Sequence, residues 1–220
     1  MSRRRKKAAP AGTRDGSKKV MGVHFQELIY RAVSFPTSDD LETLVRRVFA
    51  AHGMGAMEMP KFDACVHEAG HAVLFAAEGE PVREVSIFCR RYLNRRQWGG
   101  NTAASSPWTA HPASDPVADL RRARFTIAGL TAEMVHLGDG YRKGSSLDEL
   151  LTAKRLCNLA SSKVGRSVNE LLCEQFTEVE AVLKRFWPET LLLAITLDRR
   201  HQVTGVKLEE MLRPVREAVQ

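Results

Sequence analysis

His67 and His71 stand four residues apart in CVHEAGHAV, with Glu68 beside the first of them. On a helix, residues i and i+4 share one face, so two imidazoles at this spacing can bind a single cation. Glu68 projects to the side, near that cation without ligating it. From there a carboxylate can take a proton from an activated water and pass it to a leaving amine. Zinc would supply the Lewis acid, lowering the pKa of the water to about 7 and polarising a scissile carbonyl. The pattern H-E-x-x-H is the sequence form of that chemistry. The alternative is a pair of histidines satisfied by ordinary hydrogen bonds. Against it stands the setting, because the segment is otherwise apolar and polar groups held near a core need a partner.

A catalytic zinc needs a third protein ligand and one position left open for water. The metzincin continuation of the motif fails here: two and three residues beyond His71 stand Val73 and Leu74, with no Gly or third His following. Downstream candidates are Glu133, His136, Asp139 and Asp148, and spacing alone does not choose among them.

The elements that must position these groups can be read in outline. Positions 61–78, KFDACVHEAGHAVLFAAE, are helix-compatible, with Pro60 at the start and Gly79 placed to end the run. Residues 82–89 place Val82, Val85, Ile87 and Cys89 in a mostly alternating register and predict a strand. Residues 91–114 are rich in Arg, Gly, Ser and Pro and read as a long loop with room for a second short strand. Asp115 and Pro116 open a helix through about Leu137, stopped by LGDG. Further helices are expected from Leu147 to about Ser161, over about 167–186, over 188–201, and over 206–217 after a Thr204-Gly205 turn. The expected fold is mainly α (α+β), with a small β element directly after the histidine helix.

Upstream, Thr37 and Asp40 are spaced like a capping box, and Leu41, Leu44, Val45, Val48 and Phe49 recur at helical spacing. This divides the chain into a basic tail at 1–20, a helical segment and linker at 21–58, and a main domain at 59–220. The formal net charge is +7, and residues 1–19 alone carry eight Lys and Arg against Asp15. The remaining charges cancel, so the excess belongs to the tail. Its composition is that of a disordered arm. Such an arm can touch nucleic acid or anionic lipid nonspecifically, and a solubilising leader without a partner accounts for it equally.

No run of residues has the length and apolarity of a membrane span, and the start lacks the apolar core of a secretory signal. Cys65, Cys89, Cys157 and Cys173 are far apart with no C-x-x-C, which speaks against a disulfide framework and for a reducing, cytoplasmic setting. No Gly-rich phosphate loop is present, so the sequence shows no ATPase motif.

HEAGHAV followed by PVREVSI resembles the peptidase domain of FtsH-type zinc metalloproteases. IAGLTAEMVHLGD at 127–139 is similar to that family's small-residue helix with an Ala-Glu pair. GSSLD at 144–148 looks like its Gly-x-Ser-x-Asp element, and TLDRRHQVTGVKLEEML like its closing helix-turn-helix. The resemblance spans about residues 60–214. It implies a helical, zincin-like peptidase fold and hydrolysis of peptide bonds in flexible or unfolded polypeptides. It also implies a Zn2+ cofactor held by His67, His71 and Asp148, with Glu68 as acid and base and Glu133 orienting a ligand histidine. Gly70 and Gly129, inside helices, fit close packing of the two helices around the site. An exposed edge of the strand at 82–89 would hold substrate by main-chain pairing.

There are departures from the family pattern. The ATPase module of the family is not seen in this sequence, which implies a stand-alone enzyme, a subunit served by a separate AAA ATPase, or a homo-oligomer. Leu147 replaces the usual Asn, and Glu149 stands where an apolar residue is usual. A different class remains open beside these, a non-catalytic zinc module tethered to nucleic acid by its basic tail.

Overall fold

Helix α1 (Lys61–Ala77) is the centre of the architecture. From Ala64 to Ala76 every residue except His71 is buried, as expected of a helix apolar on all sides. Pro60 precedes its first turn, and Gly79, at φ +79°, lets the chain leave the last one. In the computed structural model, which describes residues 59–92, 95–104, 115–138 and 146–220, α1 packs against helices on one side and a small sheet on the other. The tail at 1–20, the segment at 21–58 and Asp139 lie outside the described residues.

The sheet follows directly. Strands β1 (Val82–Tyr92) and β2 (Arg95–Ala104) form an antiparallel hairpin, with a register shift between Val82 and Glu84. That irregularity lets Val82 and Val85, three apart, both face the core with Ile87. Cys89, expected to continue this inward row, is exposed. Strand β2 is ten residues long, where the Gly- and Ser-rich composition suggested only a short strand.

Helix α2 (Pro116–Leu137) begins at Asp115, whose side chain accepts from the Val117 N–H at 2.9 Å, with Pro116 in the first turn. Helix α3 (Leu147–Val164) ends at Gly165, and α4 (Val168–Arg185) opens with a capping box between Ser167 and Glu170. Helix α5 (Trp187–Arg200), strand β3 (Gln202–Thr204) and helix α6 (Gly205–Glu217) complete the chain. β3 occupies part of what reads in sequence as a turn. It pairs with β1 at Glu84, Val85 and Ser86, so the sheet order is β2-β1-β3. β1 is therefore the central strand, and from Glu84 to Ser86 the expected free edge is covered by β3. Among the described residues, the unpaired edge nearest the histidines belongs to β2.

The architecture is thus mainly helical with one small sheet. Helices α1 and α2 approach so closely that a Cβ on Gly70 would lie 2.5 Å from the Ala132 Cβ and 2.9 Å from the Ala128 carbonyl oxygen. In an open helix, Gly→Ala stabilises by about 1 kcal/mol. Here the added methyl must push the helices apart, and overpacking of this kind costs about 1–3 kcal/mol. Gly70→Ala is expected to lower unfolding stability in urea, and a midpoint equal to or above that of the wild type would contradict this packing.

Candidate metal centre

His67 and His71 project from one face of α1 toward α2 and α3. Each ring is held by its Nδ1. His71 Nδ1 lies 2.9 Å from the main-chain oxygen of Phe125 on α2. A carbonyl can only accept, so that nitrogen carries the proton. His67 Nδ1 lies 2.6 Å from Glu133 Oε1, also on α2. Ser146 donates its hydroxyl to the same Glu133 oxygen at 2.9 Å. Rings anchored in this way present Nε2 as the ligating atom, with the outer hydrogen bond fixing tautomer and orientation.

The two Nε2 atoms converge, 3.1 Å apart. Glu149 Oε1 completes a triangle, 3.0 Å from His67 Nε2 and 3.2 Å from His71 Nε2. Three lone-pair atoms at these distances repel one another unless a positive charge lies among them. The other carboxylate oxygen of Glu149, Oε2, is buried without a hydrogen-bond partner. Zinc–ligand bonds of about 2.0–2.1 Å in tetrahedral array set donor atoms about 3.3 Å apart, close to the observed triangle. His67, His71 and Glu149 can hold a metal ion.

The electrostatics agree. Burial by itself would raise the Glu149 carboxyl, yet His67 and His71 beside it hold it down, from an ordinary 4.5 to about 2. Burial by itself would lower His67, but Glu149 and Glu133 overcome this and hold the imidazole well above its ordinary value. Without a metal, a proton on His67 supplies the positive charge the triangle demands.

The third corner differs from the one that the resemblance implied. Asp148 is exposed, and the structure brings Glu149 to the histidines instead. Successive side chains on a helix diverge by about 100°, so only one of two neighbours can face α1. On α3 the buried positions Ala153, Cys157 and Ala160 form one stripe, and Glu149, four residues before Ala153, lies in line with it. Asp148 is turned to solvent, about 100° around the helix from Glu149. His136 is also elsewhere, with its ring against Phe62 and Trp187.

Glu68 is buried beside the triangle. Its Oε2 accepts the Thr102 hydroxyl at 2.8 Å, and its main-chain oxygen accepts from the same hydroxyl at 3.0 Å. Two glycines make room for these side chains. A Cβ on Gly100 would lie 2.3 Å from Glu68 Cγ, and one on Gly129 about 2.4 Å from the His67 ring. Glu68, His71 and Glu149 open onto a pocket of about 330 Å³, whose other walls include Gly100, Asn101 and Thr102 of β2 and the rings of Phe75 and Phe125. Those rings stack with centroids 4.3 Å apart. Thr102 carried no sequence signal that marked it out, whereas Ser146 is the serine of the Gly-x-Ser-x-Asp element that the resemblance singled out. Glu149 did carry one, the register of its helix.

Compared with known proteins, the chain matches no family model and no curated protein.

Two outcomes test the centre. Removing a ligand should cost more affinity than the roughly 10–100-fold typical of an outer hydrogen-bond partner. Glu149→Ala is therefore expected to weaken zinc binding at least about 100-fold in a chelator competition, while Asp148→Asn leaves it within about twofold. The reverse ranking would restore Asp148 as the ligand. Because His67 is held protonated, zinc added to metal-free protein at pH 7 should release about one proton. Calorimetry in buffers of different ionisation enthalpy reads this directly, and no dependence on buffer would contradict the assignment.

Proposed function

We propose that the protein is a zinc-dependent metalloendopeptidase acting on flexible or unfolded polypeptides, in the manner of the FtsH-type peptidase domain it resembles. What supports this above all is Glu68. It lies beside the three convergent acceptors, buried and facing the pocket, without joining them. A purely structural metal site has no use for an additional carboxylate in that position.

The two-imidazole, one-carboxylate donor set suits zinc with an open fourth position. When bound, the ion supplies Lewis acidity, which polarises a carbonyl and makes water acidic enough to ionise near neutral pH. The chain's own residues do the rest. Thr102 occupies Oε2 of Glu68, which leaves Oε1 to take a proton from water and return it to the departing amine. Glu133 and the Phe125 carbonyl keep the two rings aimed, so the site needs no rearrangement at the moment of reaction.

Substrate is held by the edge of β2. An extended chain laid along Gly100, Asn101 and Thr102 gains main-chain hydrogen bonds with little dependence on its sequence. The Phe75 and Phe125 rings offer an apolar floor for one of its side chains. Only polypeptide that is already extended can enter, so folded substrates depend on local unfolding or on a separate AAA ATPase. The four cysteines are unpaired, which suits a reducing, cytoplasmic setting, and no helix among the described residues is long and apolar enough to cross a membrane.

Glu68→Gln tests this reading. The variant is expected to keep one zinc per chain while cleavage of an unfolded fluorogenic protein falls at least about 100-fold, the usual contribution of a positioned acid–base group. Cleavage at the wild-type rate with zinc retained would remove the mechanism.

A further inference from the structure

The residues that open α3, Ser146-Leu147-Asp148-Glu149, have the spacing of a capping box, a serine followed three residues later by a glutamate. Ser167 and Glu170 have the same spacing at the start of α4, and there the box is closed. Glu170 donates its main-chain N–H to the Ser167 hydroxyl at 3.2 Å, and the Ser167 N–H donates to Glu170 Oε2 at 3.0 Å. On α3 neither half is made. The Ser146 side chain accepts no N–H of its helix. Glu149 directs Oε1 to the two histidines, and its Oε2 has no hydrogen-bond partner. Ser146 is also held in the left-handed region, at φ 55° and ψ 28°. A side chain disfavours that region, and a capping residue is ordinarily extended. Among the described residues, His201 alone shares a positive φ without being glycine.

A helix start that forgoes its cap and sits in a strained backbone must be held by something outside itself. That partner is Glu133. The Ser146 hydroxyl donates to Glu133 Oε1 at 2.9 Å, and its oxygen lies 3.3 Å from His67 Nδ1. With the extended backbone of an ordinary cap, the hydroxyl would turn to the Glu149 N–H instead. The Glu149 carboxylate would then turn back on the Ser146 N–H, and the triangle would lose its third corner. The two diverted side chains bracket His67, Ser146 behind the ring at Nδ1 and Glu149 ahead of it at Nε2.

We propose that Ser146 is a positioning residue of the metal centre, which gives up the cap of its own helix so that Glu149 can serve as third ligand. The proposal rests on the metal centre that the peptidase reading also requires, and adds to it a residue that is not itself a ligand. Ser146 acts through two others. It steadies Glu133 behind His67, and it starts α3 in the conformation that leaves the Glu149 carboxylate free to reach the rings. Local preference for a closed box yields here to the needs of the site, as such preferences do at functional positions.

Three variants test it, each read by chelator competition for zinc and by urea unfolding of the metal-free protein. Ser146→Gly and Ser146→Ala both remove the hydroxyl, and each should weaken zinc binding about 10–100-fold, the usual effect of losing a partner behind a ligand. Glycine also relieves the left-handed backbone, so Ser146→Gly should unfold at a higher urea midpoint than Ser146→Ala while binding zinc no better. Ser167→Ala is the contrast. Loss of its working cap should lower the midpoint below that of the wild type, yet zinc affinity should stay within about twofold because the two sites share no partner. Zinc affinity within about twofold of the wild type in both Ser146 variants would overturn the proposal. So would losses of affinity that simply follow the midpoint across all three variants, since Ser146 would then be an ordinary part of its helix. Wild-type protein that binds no zinc would instead remove the metal centre, and the peptidase reading with it, so the two failures are told apart.

Discussion

Three electron-rich atoms held within about 3 Å of one another are the constraint from which the remaining structure follows. His67 Nε2, His71 Nε2 and Glu149 Oε1 come from two helices that would separate if only their own electrostatics were at work. Their neighbours prevent this. The Phe125 carbonyl and Glu133, both on α2, fix the rings from behind, and Ser146 ties Glu133 to the start of α3. The close approach of α1 and α2 at Gly70 and Gly129 brings those partners within reach. Helix packing, hydrogen-bond direction and charge thus all impose the same geometry, and a cation is what reconciles them.

The elements were legible in the sequence because their signals are local. Pro60, the Asp115-Pro116 pair, Ser167 with Glu170, and the turn glycines mark helix ends through interactions confined to one turn. His67, Glu68 and His71 were legible for the same reason, since a spacing of four on one helix suffices to place both rings together. What was not legible depends on contacts between distant segments. The three residues of β3 form a strand only because β1 offers an edge beside them, and Thr102 matters only because β2 crosses behind Glu68.

The third corner lies between these cases. A motif resemblance singled out Asp148 by its position in a short pattern, yet a shift of one residue turns a side chain through more than a quarter of the helix circumference. The stripe of Ala153, Cys157 and Ala160 contained the information needed to prefer Glu149. Glutamate also reaches one methylene further than aspartate, which suits a ligand projecting from the start of α3 toward rings on α1. In such a site, helix register outweighs local pattern.

Because the helix that bears both imidazoles is also the most deeply embedded element among the described residues, the protein cannot vary its metal-binding face and its interior separately. Substitutions that reshape the interior displace the ring nitrogens by fractions of an ångström, and those that adjust the rings disturb the packing behind them. Evolutionary change in such a protein should therefore gather at its periphery, along the hairpin and the outer helices, where the surface can drift while the ring nitrogens stay put.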